Sequence, residues 1–154
     1  MREIKLHSLE NPTKVDLVKL IFHYRGTPFD DQTYPDKPAS NMELPFLEMD
    51  ARKLSKRTAI ARYVCDRFEY SAIDPFEVYL VESVCDLKAD LELLLEHFSK
   101  DQLTPQILAK LKMIENRLAQ NKQGTEWFVG NCLTRADFEI FELLYNHFVS
   151  DLET

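Results

Sequence analysis

Apolar and polar positions change rhythm along this 154-residue chain. Ile4-Lys5-Leu6-His7 alternates, the period-two mark of a short strand. Val15, Leu17, Val18, Leu20, Ile21, Phe22 and Tyr24 then form one broad apolar face at helical spacing. Asn11-Pro12-Thr13 opens that helix, and Thr13 with Asp16 three residues on is a capping-box variant. Gly26 stops it, with Pro28 two residues beyond, a common helix ending. Phe29-Asp30-Asp31 begins a second strand, and TYPDKPASNME, with its two prolines, is a loop. Pro45 opens a third strand at Phe46–Met49, and Asp50-Ala51 turns the chain into a fourth at Arg52–Leu54. A helix over Thr58–Phe68 follows, with Ile60, Ala61, Tyr63, Val64 and Phe68 facing inward. The order βαβ then ββα predicts a four-stranded mixed sheet carrying at least two helices.

The second half has no strand signal. Pro75 suits a helix start, where its missing N–H costs nothing. The run Phe76–Phe98 reads as one long helix. Thr104-Pro105 is an N-cap followed by proline at the first helical position, and that helix runs to about Gln120. The loop KQGTEWFVGN precedes a third helix near Thr134–Phe148. There Thr134 and Asp137 have cap spacing, and Leu133 with Phe138 forms a hydrophobic staple. The chain therefore divides into an α/β part at 1–70 and an all-α part at 75–154.

Composition narrows the function classes. Apolar content of 45% and charged content of 29% are those of a soluble globular protein. Three glycines are too few for glycine-rich phosphate loops. A net charge of −7 with scattered Lys and Arg argues against nucleic acid, whose binding needs a basic face to displace counterions. No apolar run is long enough to span a membrane, and the N-terminus lacks a signal-peptide core. Cys65, Cys85 and Cys132 are odd in number and far apart. They read as reduced core thiols of a cytoplasmic protein. The four histidines show no metal-ligand spacing, so no metal is expected.

Four stretches carry a resemblance to the cytosolic glutathione S-transferases, nearest the sigma-like group of invertebrates. IKLHSL resembles the first strand leading to the catalytic residue. LPFLEMD resembles the third strand with its leading proline, and TAIARYV the helix after the glutathione-binding turn. EWFVGNCLTRADFEIFE resembles the cap-and-staple segment of the helical domain. The resemblance implies a thioredoxin-like N-terminal domain, an all-α C-terminal domain, a homodimer and reduced glutathione as substrate or ligand. It implies a cis peptide at Leu44-Pro45, with the Leu44 backbone facing the ligand. Asp90 of the partner subunit would reach the glutathione amine.

The chain departs from that pattern where chemistry would occur. Ser8 stands where the sigma-like pattern has a tyrosine that donates to the thiolate. Lys14 stands where an arginine is expected. Lys56-Arg57 replaces the Gln-Ser pair that holds the γ-glutamyl group. The interval Asp31–Leu44 is too short for the family's intervening helix, and the all-α part is expected to be C-terminally truncated. That would leave apolar helical surface, with Phe141, Leu144, Tyr145 and Phe148, open to a protein partner. Three readings follow. One is a glutathione-transferase-like protein with weak or lost conjugation and a binding role. Another is an active transferase using Ser8. The third is an interaction module.

Overall fold

The computed structural model describes residues 3–11, 14–37, 43–97 and 104–149. The chain forms two compact units, Met1–Glu69 and Tyr70–Thr154.

The first unit is a four-stranded sheet with two helices. The strands are β1 (Lys5–Leu9), β2 (Asp30–Tyr34), β3 (Phe46–Met49) and β4 (Arg52–Ser55), in the spatial order β2-β1-β3-β4. β1 and β2 are parallel, joined through α1 (Leu17–Arg25). β3 runs antiparallel to both β1 and β4, and α2 (Arg57–Arg67) follows β4. The mixed sheet expected from the βαβ–ββα order is thus present, with Lys5–His7 paired to Phe46–Glu48 in the β1–β3 ladder.

Asp50 and Ala51 both take positive φ, 54° and 61°. A two-residue hairpin loop needs that backbone for its twist to match the strands. The inner side chains Leu6 and Leu47 of the sheet are fully buried. So are Leu17, Val18, Ile21 and Phe22 of α1 and Ile60, Ala61, Val64 and Cys65 of α2. On the alternate β1 positions His7 stacks on Phe46 at 4.0 Å and on Tyr34 at 6.0 Å. Its Nδ1 lies 3.0 Å from the Tyr34 hydroxyl.

Two local expectations change. Helix α1 starts later than its apolar face suggests, and Asp16 is its N-cap. The Asp16 carboxylate accepts from the Val18 and Lys19 amides at 2.9 and 3.0 Å. A free carboxylate at the first turn satisfies two orphan donors and the helix dipole together. Thr13, the expected cap, lies outside the described residues. Tyr24 is exposed, because it sits on the flank of the apolar face rather than its centre.

The second unit packs α3 (Pro75–His97), α4 (Pro105–Gln120) and α5 (Arg135–Leu144), with a π-helical turn over Tyr145–Val149. Its apolar core joins Val81, Val84 and Leu91 of α3, Ile107 and Ile114 of α4, Val129, and Ala136, Ile140 and Leu143 of α5. The expected caps are present. The Thr104 hydroxyl accepts from the Ile107 amide, and Thr134 with Asp137 forms a full capping box. The other Asp137 oxygen accepts from the Phe128 amide at 2.9 Å, which ties the preceding loop to the helix.

Periodicity gave no warning of the charges inside this unit. Lys88, Arg135, Glu139 and Glu142 are all buried. The Lys88 ammonium lies 3.2 Å from Glu139 and 3.4 Å from Glu142, and 2.7 Å from Glu92 at the rim. Arg135 donates to Glu82 at 2.6 Å. The four buried groups are two cations and two anions, so the interior set is neutral. The two further carboxylates, Glu82 and Glu92, keep about a third of their side-chain surface in water, 36% and 32%. That arrangement limits the cost of burying charge.

Among the described residues all three cysteines are free thiols: Cys65 is buried, Cys85 half-buried and Cys132 exposed. The exposed Cys132 corrects the expectation of three core thiols. It sits in the loop before α5, where chain direction rather than apolar spacing sets exposure. Burial pushes the Cys85 thiol up to about 12, opposed by the neighbouring Arg135 cation.

Candidate functional site

Sheet register assembles most of the expected site in the first unit. β1 and β3 pair His7 with Phe46, and β3 and β4 pair Phe46 with Ser55. Ser8 follows His7 in β1, Pro45 immediately precedes β3, and Lys56 immediately follows β4. Leu44 precedes Pro45, and Arg57 opens α2. The parallel ladder adds Thr33 opposite Ser8. Ser8, Leu44, Pro45, Lys56 and Arg57 therefore share one end of the sheet, although they are scattered in sequence. Helix α2 begins at the same end.

Each has a defined local setting. Ser8 lies inside β1 rather than after it. It is 4% exposed, and its Oγ has no hydrogen-bond partner among the described residues. The Leu44–Pro45 peptide is cis, as the family pattern implies. Lys56 is the N-cap of α2 at φ 73°, ψ 109°. Side-chain-bearing residues rarely adopt such a backbone, which costs about 1–3 kcal/mol and tends to cluster at functional sites. Its ammonium pairs with the Glu43 carboxylate. Arg57 is the first residue of α2 and is half-buried. Lys14 is exposed in the turn before α1, its amide donating to Asn11 at 3.3 Å.

The two helices of this unit differ at their starts. The N-terminus of α1 is closed by Asp16. That of α2 has no side-chain cap and no acidic residue in its first turn. With no side-chain cap there, the positive end of the helix dipole favours an anion. The start of α2 suits a carboxylate, and the Ser8 hydroxyl lies buried at the same end of the sheet.

Asp90 belongs to α3 of the second unit, where its carboxylate is 2.5 Å from Lys110 of α4. Sequence reasoning missed Glu43. It sits in a polar stretch with no periodicity, so only its pairing with Lys56 singles it out. Among the described residues no cluster of His, Cys, Asp and Glu could hold a metal, and no helix is long and apolar enough to cross a membrane.

The family model described as "Glutathione S-transferase, C-terminal domain" matches residues 90–153. Glutathione S-transferase 1 of Ascaris suum is 30% identical over 148 residues, covering 82% of this chain and 71% of that protein. Glutathione S-transferase A1 of Bos taurus is 26% identical over 170 residues, covering 96% of this chain and 74% of that one. Among solved structures, the glutathione S-transferase from Ascaris lumbricoides superimposes with a TM-score of 0.74 at 25% identity, over 98% of this chain and 89% of its own. A glutathione S-transferase from the hookworm Necator americanus, described as monomeric, gives a TM-score of 0.68 at 23% identity, over 90% and 78%. With the thioredoxin-like sheet unit and the helical unit already in place, these matches define the class. The chain belongs to the glutathione S-transferase family. It spans about three quarters of the length of the Ascaris and bovine relatives.

Proposed function

We propose that this chain is a glutathione-binding member of its family whose conjugating activity is weak or lost, and that it works by binding a ligand or a protein partner. The uncapped N-terminus of α2 carries the reading. It sits at the same sheet end as the orphan Ser8 hydroxyl and the cis Leu44–Pro45 peptide. In this reading α2, Lys56 and Arg57 hold the γ-glutamyl carboxylate. The Leu44 backbone pairs with the peptide as an added strand. Lys14 lies on the approach, and Ser8 faces the thiol. Conjugation is weak because a short hydroxyl replaces a phenol, and long cations crowd the carboxylate pocket.

A second reading is an active transferase with Ser8 as the thiolate donor. The unpartnered Ser8 hydroxyl favours it, since an unused buried donor is rare. The assay separates the two. Retention on immobilised glutathione with slow turnover of a general electrophile supports the first. Turnover at rates usual for the family overturns it. In that case Ser8→Ala should cost about 10²–10³-fold, the loss typical for one donor to a developing anion.

Homodimerisation belongs to the same proposal. Phe76, Val78 and Tyr79 stand exposed on α3, and Asp90 of the partner subunit would approach the ligand amine. The monomeric hookworm neighbour makes sedimentation equilibrium the deciding measurement. Exposed Phe141 and Leu144 on α5 are the proposed surface for a protein partner. Placement in the sigma-like branch rests on the IKLHSL and TAIARYV motifs, and a cytoplasmic location on the three free thiols.

A further inference from the structure

The sheet of the first unit has a second face, and strand register orders its side chains. Asp30, Lys5, Glu48 and Lys53 form one row across β2, β1, β3 and β4, and Gln32, His7, Phe46 and Ser55 form the next. Successive residues of a strand point to opposite faces, so both rows lie opposite the buried Leu6 and Leu47. The helices take the Leu6 side. There α1 and α2 pack on each other, and Lys19 of α1 holds Asp31 and Thr33. Among the described residues of this unit, no helix lies on the outer face. We propose that this face pairs two copies of the chain, at a surface separate from α3.

An isologous contact needs a surface that complements itself. The first row runs negative, positive, negative, positive from one edge of the sheet to the other. A two-fold axis parallel to the strands, between β1 and β3, reverses that order in the facing copy. Asp30 then meets the partner's Lys53, and Lys5 meets the partner's Glu48. In the second row His7 and Phe46, stacked at 4.0 Å, exchange places across the same axis and set an aromatic patch beside the charges. The ions are within reach: Lys5 keeps 34%, Glu48 33% and Lys53 78% of its side-chain surface in water. Within the chain Lys5 pairs with Glu3 at 3.3 Å, Lys53 with Glu48 at 3.1 Å, and Asp30 accepts from Gln32 at 2.9 Å. An ammonium has three donors and a carboxylate about four acceptor sites, so each can take a further partner. The strands are four or five residues long, so the angle between packed sheets, about 30°, shifts the rows little. So small a face buries less than the ~1,200 Å² of a standard interface, which makes the pairing weak and reversible.

The test is sedimentation equilibrium of the full chain at low salt and rising concentration, with circular dichroism as the check on folding. Wild type should self-associate, and added salt should weaken it. Lys5→Glu or Glu48→Lys sets like charges against each other twice across the axis, and should weaken the pairing at least about tenfold. Lys5→Gln adds no like charge to the sheet and should weaken it about two- to fivefold. Mixing Lys5→Glu chains with Glu48→Lys chains should restore association, because both contacts of the mixed pair are again opposite in sign. A fault inside either chain is not mended by mixing. A wild type of constant mass over the whole range overturns the proposal. So does association unchanged in Lys5→Gln or in either reversal, or a mixture that gains nothing. Tyr79→Glu on α3 should leave the pairing intact; association lost in that variant and kept in the other three belongs to α3 and overturns it too.

Discussion

Lys88→Met is the sharpest test of how the helical unit is held together. Methionine keeps much of the lysine stem and removes the charge, so cavity effects stay small. Lys88 is 2% exposed, and its ammonium faces Glu139 at 3.2 Å and Glu142 at 3.4 Å, both buried. At an effective dielectric of about 20, one pair at that separation is attracted by about 5 kcal/mol. Desolvation of the ions offsets much of this in the native protein. Removing the cation leaves two buried carboxylates with Arg135 as the remaining buried cation, and breaking such a pair costs about 3–5 kcal/mol. Typical domains have only about 5–15 kcal/mol in total, so the variant should be close to unfolding. Urea denaturation followed by circular dichroism measures it, with the midpoint falling and the slope unchanged. Adding Glu142→Gln should recover part of the loss, because contacting groups are not additive. An unfolding free energy for Lys88→Met within about 0.5 kcal/mol of wild type would refute the view that this lysine neutralises the interior.

Asp137→Ala removes acceptors for the Thr134 amide, the Thr134 hydroxyl and the Phe128 amide, so thermal unfolding should show a loss of about 2 kcal/mol. With a thiol reagent at neutral pH, Cys132 should react at once, and Cys65 and Cys85 only after denaturant is added. The Cys85 thiol titrates near 12 in the folded chain against 9.0 as its ordinary value. The unfolded chain therefore loses that proton first, and this contribution to stability, complete below pH 9, fades as pH rises towards 12. Cys85→Ala should flatten that alkaline loss in a denaturation series across pH 8 to about 11. Lys56→Gln should weaken retention on immobilised glutathione and make it less sensitive to salt, because one of the cations at the start of α2 is gone.

Much of the fold is legible in the linear chain because its causes are local. The alternation at Ile4–His7, the Asp50-Ala51 turn and the Thr104-Pro105 and Thr134–Asp137 caps each act within a few residues. Backbone sterics and nearby hydrogen bonds decide them before anything distant packs. The site was legible only as a set of separate motifs. Ser8, Pro45 and Lys56 come to the same end of the sheet through strand register, which is settled when Leu6, Leu47 and Leu54 are paired across three strands. The Glu43–Lys56 pair depends on the same closure. The buried ion set was not legible at all. Arg135 and Glu82 are 53 residues apart, and Lys88 looks like any solvated helix lysine until α5 covers it. Sequence sets which face of a helix is apolar. Whether a charge on the border of that face ends in water or in the interior depends on which helix lies against it, and only long-range packing decides that.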